Sequence, residues 1–169
     1  MTDNAANALA TPGNHATRLL IPIDATERSR WGIEYALRLH RSGRPVQACL
    51  LFVAEPVTSL EVLRFRTHDE IARFQAEGGR RLIEDAARPL VSAGIPCEEV
   101  FREGEIAFQI LDAAEQLDCH AIVLPLPHAR LARLLCRDVV REVIGQARSV
   151  PVCTVDANGI GMPGENRLA

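Results

Sequence analysis

The sequence predicts an α/β protein: a single three-layer domain whose five-stranded parallel sheet runs in the order 3-2-1-4-5, with helices on both faces. Three observations carry this. Five short apolar runs recur along the 169 residues, of the kind that fully buried strands show. Between them lie segments whose apolar residues repeat at helical spacing. Each of the first four strands leads into such a segment, and right-handed crossovers then place helices on both sides of one sheet. A chain of this length holds one well-buried domain and is too short for two typical ones.

Residues 1–17, rich in Ala, Asn and Thr with Pro12 and Gly13, read as a disordered leader ahead of a domain over 18–156. Residues 18–23 (RLLIPI) form the first strand, where Pro22 is tolerable because it stands near the strand end. Thr26 or Ser29 caps a helix over about 28–41, and Ser42-Gly43 stops it. Residues 46–53 (VQACLLFV) make the second strand. A long helix follows over roughly 67–93, or from near Leu60. Gly78-Gly79 inside it costs about 1 kcal/mol per glycine, which leaves room for a kink or break there. Gly94 ends that helix, and residues 97–101 form the third strand. The third helix covers 105–117, with Ile106, Ile110, Leu111 and Ala114 on its inner face. The fourth strand is 120–126, the fourth helix lies within 131–147, and the fifth strand runs from Pro151 to Asp156. Residues 157–169 read as a loose tail.

Composition excludes several functions. Hydrophobic residues make up 47% and charged residues 24%, ordinary for a globular protein. A net charge of −3 gives no general attraction to nucleic acid or to an anionic membrane. No apolar run approaches the roughly 20 residues that span a bilayer. The N-terminus lacks the basic start and apolar core of a signal peptide, so a cytoplasmic location is expected. All 19 cationic residues are arginine, a bias that GC-rich codons explain better than anion recognition does. The five cysteines form no CxxC pair and read as small buried hydrophobes in a reducing compartment. Cys136, beside Arg137, is the best candidate for a redox-sensing thiol. The histidines make no metal-ligand spacing with cysteine or carboxylate. There is no nucleophile elbow and no phosphate-loop lysine, so no catalytic constellation is predicted.

In the predicted sheet the strand order reverses between strands one and four, and ligands bind at the carboxyl ends of those strands. Asp24 and the loop from Pro125 to Asp138 therefore face each other across one crevice. That loop contains no glycine, and Pro125 and Pro127 have no N–H to donate. Asp24 has two open roles, as a cap for the next helix or as a ligand contact. Arg130, Arg133, Arg137 and Arg141 recur at spacings of three and four. They are either a side-chain phosphate cradle or a solvated face, and the interleaved Asp138 and Glu142 favour the second.

Several segments together resemble the universal stress protein (UspA-like) family. They are LLIPIDATERS (19–29), LLFVAEP (50–56), FREGEIAFQILDAAEQLDCHAIVLP (101–125) and RLLCRDVVREVIGQARSVPVCTV (133–155), in that order and spacing. The resemblance implies the same Rossmann-like sheet and a homodimer paired through the fifth strand, Pro151 to Asp156. It also implies two subclasses, one binding ATP through a glycine signature after strand four. On this chain the three glycines of that signature fall on Pro125, His128 and Arg137, and its hydroxyl falls on Asp138. None matches. Asp24 and Val53 fall where family binders contact or enclose the adenosine half. The expectation is a dimeric stress-response interaction module that does not bind ATP and is not an enzyme. The alternative is a nucleotide-binding switch, with slow hydrolysis, that uses arginine side chains. A nucleoside or a fatty acyl chain in the crevice is a third, weaker possibility.

Overall fold

A computed structural model describes residues 16–56, 67–127 and 138–163. The strands are β1 (Thr17–Pro22), β2 (Val46–Ala54), β3 (Cys97–Glu103), β4 (Ala121–Pro125), β5 (Val152–Val155) and β6 (Gly161–Pro163). The helices are α1 (Trp31–Arg41), α2 (His68–Ser92), α3 (Ile106–Gln116) and α4 (Val139–Gln146). The sheet order is β3-β2-β1-β4-β5-β6, so the five parallel strands take the predicted 3-2-1-4-5 order.

Alternation along β1 divides the core in two. Leu19 and Ile21 join Leu50, Ile83, Leu90 and Val123 on the face covered by α1 and α2. Leu20 joins Leu51, Ile110, Ile122, Leu124 and Val143 on the face covered by α3 and α4. Each of these side chains contributes about 1.5–3 kcal/mol by leaving water. Pro22 closes β1 opposite Leu51, the strand-end position at which a missing N–H is tolerated.

Two features depart from the sequence expectations. The glycine pair does not break α2, which runs 25 residues without interruption behind a Thr67–Glu70 capping box. Gly79 is needed for contact instead. A Cβ there would overlap the Phe52 ring, 2.6 Å from Cε1 and 2.8 Å from Cγ, whereas one at Gly78 meets nothing. The second departure is β6, which forms from residues expected to belong to the loose tail. Asp156 turns the chain: its Oδ1 accepts the N–H groups of Asn158 and Ile160, both at 2.9 Å. Gly159 then adopts φ +64 against α1, where a Cβ would lie 2.5 Å from the Tyr35 nitrogen. The chain returns antiparallel along β5, pairing Thr154 with Met162 and Val155 with Gly161. The outer edge of β5 is thereby covered, which removes an exposed row of backbone donors and acceptors.

The helix expected from residue 28 begins as a 3-10 turn, Glu27–Arg30, before α1 proper. Ser29 tightens that turn by donating to the Thr26 carbonyl at 2.9 Å. The expected early start of α2 near Leu60 and the first part of the expected fourth helix lie outside the described residues. Among the described residues, no helix is long and apolar enough to cross a membrane.

Candidate functional site

The carboxyl ends of β1 and β4 open into a cleft of about 140 Å³, well below the roughly 300 Å³ at which small-molecule sites begin. Asp24, Val53 and Pro125 all line it. Apart from Ser29, its other lining residues are apolar, among them Phe52, Ile106, Leu124, Val139 and Val140. No arginine is among the described lining residues. Asp138 stands at the start of α4, next to the lining residues but not among them. His128, Arg137, Arg130, Arg133 and Cys136 lie outside the described residues.

Parallel β-α-β units bring every helix N-terminus to this end of the sheet, where free amides and the helix dipole would attract an anion. Here the chain's own side chains take amides at the starts of α3 and α4, and Asp24 folds back onto the segment before the 3-10 turn. The Asp24 Oδ1 accepts from the Thr26 N–H at 2.7 Å and from the Thr26 hydroxyl at 2.6 Å. Glu105 caps α3, accepting from the N–H groups of Ala107 (3.1 Å) and Phe108 (2.7 Å). Asp138 caps α4, accepting from the Arg141 N–H at 3.3 Å, and its Oδ2 pairs with the Arg141 Nε at 2.9 Å. Of the arginine stripe, the one described member is therefore engaged with a local carboxylate. The sheet amides at the cleft are used as well: Ile23 donates to Leu51 and Leu126 to Val155.

Sequence reasoning missed Arg28. Its guanidinium lies 4.9 Å from the centre of the Trp31 ring, and its Nη2 donates to the Leu126 carbonyl. This strap joins the turn after β1 to the segment after β4. A periodicity search sees Arg28 only as a polar residue at a helix start. The wall residues Ile106 and Val139 were also hidden, since each reads as the first apolar residue of a helix. Among the described residues, no group of three or more His, Cys, Asp or Glu is placed to hold a metal ion.

A family model for the universal stress protein family matches residues 15–155. Among solved structures, a universal stress protein family member from Burkholderia pseudomallei is 18% identical, with a TM-score of 0.65 over 85% of this chain and 98% of that one. A universal stress protein family protein from Arabidopsis thaliana with AMP bound is 16% identical, with a TM-score of 0.57 over 83% of this chain and 91% of that one. A universal stress protein in complex with cAMP is 15% identical, with a TM-score of 0.60 over 82% of this chain and 96% of that one. At such identities the likeness establishes the fold. A search of curated proteins finds no significant match.

Proposed function

The chain belongs to the universal stress protein family, and on that premise we propose that it is a cytoplasmic, dimeric stress-response module that acts through protein contacts and does not hold ATP. The observation that carries this reading is the capping of the α3 and α4 N-termini beside the crevice by Glu105 and Asp138, with the Asp24 carboxylate turned onto the Thr26 N–H just before the 3-10 turn. A triphosphate entering there meets carboxylates where it needs amides. Pro125 and Asp138, the two described positions of the glycine signature, offer no N–H and a negative charge respectively.

A second reading rests on the relatives that hold AMP and cAMP. Asp24 and Val53 line the cleft at the positions to which the resemblance assigns the adenosine half. A nucleotide switch would then grip phosphate with arginine side chains. Thermal unfolding with Mg-ATP, AMP, cAMP and adenosine, each in a separate arm, decides between them. A ligand at 100 times its Kd stabilises by about 2.7 kcal/mol, which raises Tm by roughly 5–11 °C in a chain of this size. No shift with Mg-ATP is expected. An ATP-dependent shift that Arg137→Ala abolishes overturns the first reading in favour of the second. The homodimer implied by the resemblance pairs through the fifth strand. The three-residue β6 occupies that edge, so pairing there requires β6 to be displaced or to join the interface. Sedimentation of the full chain across a concentration series reads the oligomeric state directly.

A further inference from the structure

β3 ends the sheet on the side away from β6, and among the described strands it pairs with β2 alone. The phase of that pairing decides which backbone groups are left over. The Ala48 N–H donates to the Pro96 carbonyl at 2.9 Å, and the Gly104 N–H donates to the Ala54 carbonyl at 3.0 Å. Residues of a strand turn their backbone groups alternately to one side and the other. Glu98, Val100 and Arg102 therefore face β2, and Cys97, Glu99, Phe101 and Glu103 turn their N–H and C=O groups to the open edge. The same alternation sets these four side chains on the α2 face of the sheet. Cys97 packs against the core there, and Phe101 and Glu103 line a groove of about 440 Å³ between β3 and α2. Phe52, Ala72 and Ala76 give the groove its apolar lining. Phe101 is 43% exposed and belongs both to the edge and to the groove. An open strand edge beside a pocket for alternate side chains is the arrangement to which extended peptides add as a further strand.

Charge selects the occupant. Glu99 and Glu103 are exposed, two residues to either side of Phe101. Neither is ion-paired among the described residues: Arg18 is taken by Glu98, Arg102 by Asp112, and Arg80 on the α2 wall pairs with neither acid. A second copy of the chain brings the same two acids to this face. With Phe101 against Phe101 in an antiparallel pair, each Glu99 stands opposite a Glu103, and like charges so placed are destabilising. Charged side chains commonly guard an open edge against such pairing. These two leave the edge open to a strand that carries cations at the facing positions.

We propose that β3 is a docking edge for an extended basic segment of another protein. The segment adds antiparallel, exchanging backbone hydrogen bonds with Glu99, Phe101 and Glu103. Opposite Phe101 it places an apolar side chain that enters the groove beside Phe52. Two residues to either side it places an arginine or lysine, which faces Glu99 at one end and Glu103 at the other. This names a surface for the protein contacts proposed above and rests on that reading.

The test uses the full chain and fluorescein-labelled synthetic peptides read by anisotropy. The probe is Thr-Arg-Thr-Phe-Thr-Arg-Thr. Its Kd is expected to be lower by about tenfold or more than that of Thr-Glu-Thr-Phe-Thr-Glu-Thr and than that of a scrambled peptide of the probe's own composition. The scrambled peptide controls for general attraction to a chain of net charge −3. Hydrogen exchange followed by NMR locates the probe: exchange slows at the outward amides of Glu99, Phe101 and Glu103, while those of Val100 and Arg102 are slow without it. Phe101→Ser weakens probe binding about tenfold, and the double variant Glu99→Arg, Glu103→Arg prefers the glutamate peptide. Equal binding of all three peptides overturns the proposal, as does binding of none. Probe binding that leaves the three outward amides unprotected overturns it too. Protection of those amides that grows with protein concentration in the absence of peptide assigns the edge to a second copy and overturns it as well. The peptide comparison is made on the unaltered chain, so a variant that fails to fold does not obscure it. Thermal unfolding with Mg-ATP reads the crevice and not this edge, so failure of the docking edge is distinguishable from failure of the reading it rests on.

Discussion

Alanine substitution at the two adjacent glycines of α2 should have opposite consequences. Each replacement gains about 1 kcal/mol of helix propensity. At exposed Gly78 a Cβ meets nothing within 4 Å, so Gly78→Ala should stabilise by about that amount. At buried Gly79 the same atom collides with three ring carbons of Phe52. Forcing a methyl into a filled site costs about 1–3 kcal/mol, which leaves Gly79→Ala neutral to about 2 kcal/mol destabilised. The gap between the two variants, about 1–3 kcal/mol, is the better quantity because propensity cancels from it. Urea unfolding followed by the fluorescence of Trp31, the sole tryptophan, measures both. In thermal scans the gap corresponds to roughly 2–4 °C per kcal/mol. Equal stabilisation by both alanines would refute the reasoning, since it would mean that the Phe52 ring yields freely. Phe52 also lines the cleft, so Gly79→Ala should disturb any ligand that Gly78→Ala leaves untouched.

Removing the α4 cap with Asp138→Ala should destabilise by about 1 kcal/mol in urea, since both the bond to the Arg141 N–H and the side-chain pair are lost. Deleting residues 158–169 should uncover β5 and produce concentration-dependent association by light scattering; an unchanged mass would show that β6 does not protect that edge. Tyr35 is the only tyrosine, so its ultraviolet titration is unambiguous. Burial, with Cys153 beside it, raises its pKa to about 12. The folded chain holds this proton more tightly than the unfolded chain, whose tyrosine titrates near 10. The associated stability is therefore intact below pH 10 and is lost as pH rises from about 10 through about 12. A folded-state midpoint at 10 would contradict the packing of Tyr35 against Cys153 and Gly161.

Much of this architecture was legible because strands such as 46–54 are buried on both faces and announce themselves as unbroken apolar runs. Asp24 and Pro125 could be placed together because strand order alone decides which strand ends meet, whereas Val53 was placed beside them only by the family resemblance. What stayed hidden depends on contacts rather than on local pattern. Gly79 looks like a helix breaker until Phe52 is seen against it. The three-residue β6, Gly-Met-Pro, has no periodicity to detect, although the Asp156 turn before it carries recognisable Asx chemistry. Attention to Cys136, guided by its neighbour Arg137, fell outside the described residues, while Cys49 acquires its cation from Arg18 on another strand.

The two helix ends capped by Glu105 and Asp138 also bear on how such a chain can change over generations. Inserting a glycine after β4 would loosen that segment and still leave Glu105 and Asp138 in possession of their amides. Replacing one of those acids alone would forfeit about 1 kcal/mol of cap and gain no guest. Each single step toward an anion seat is thus disfavoured before the combination is useful. Opening either helix end to an anion therefore means giving up a cap before any guest replaces it.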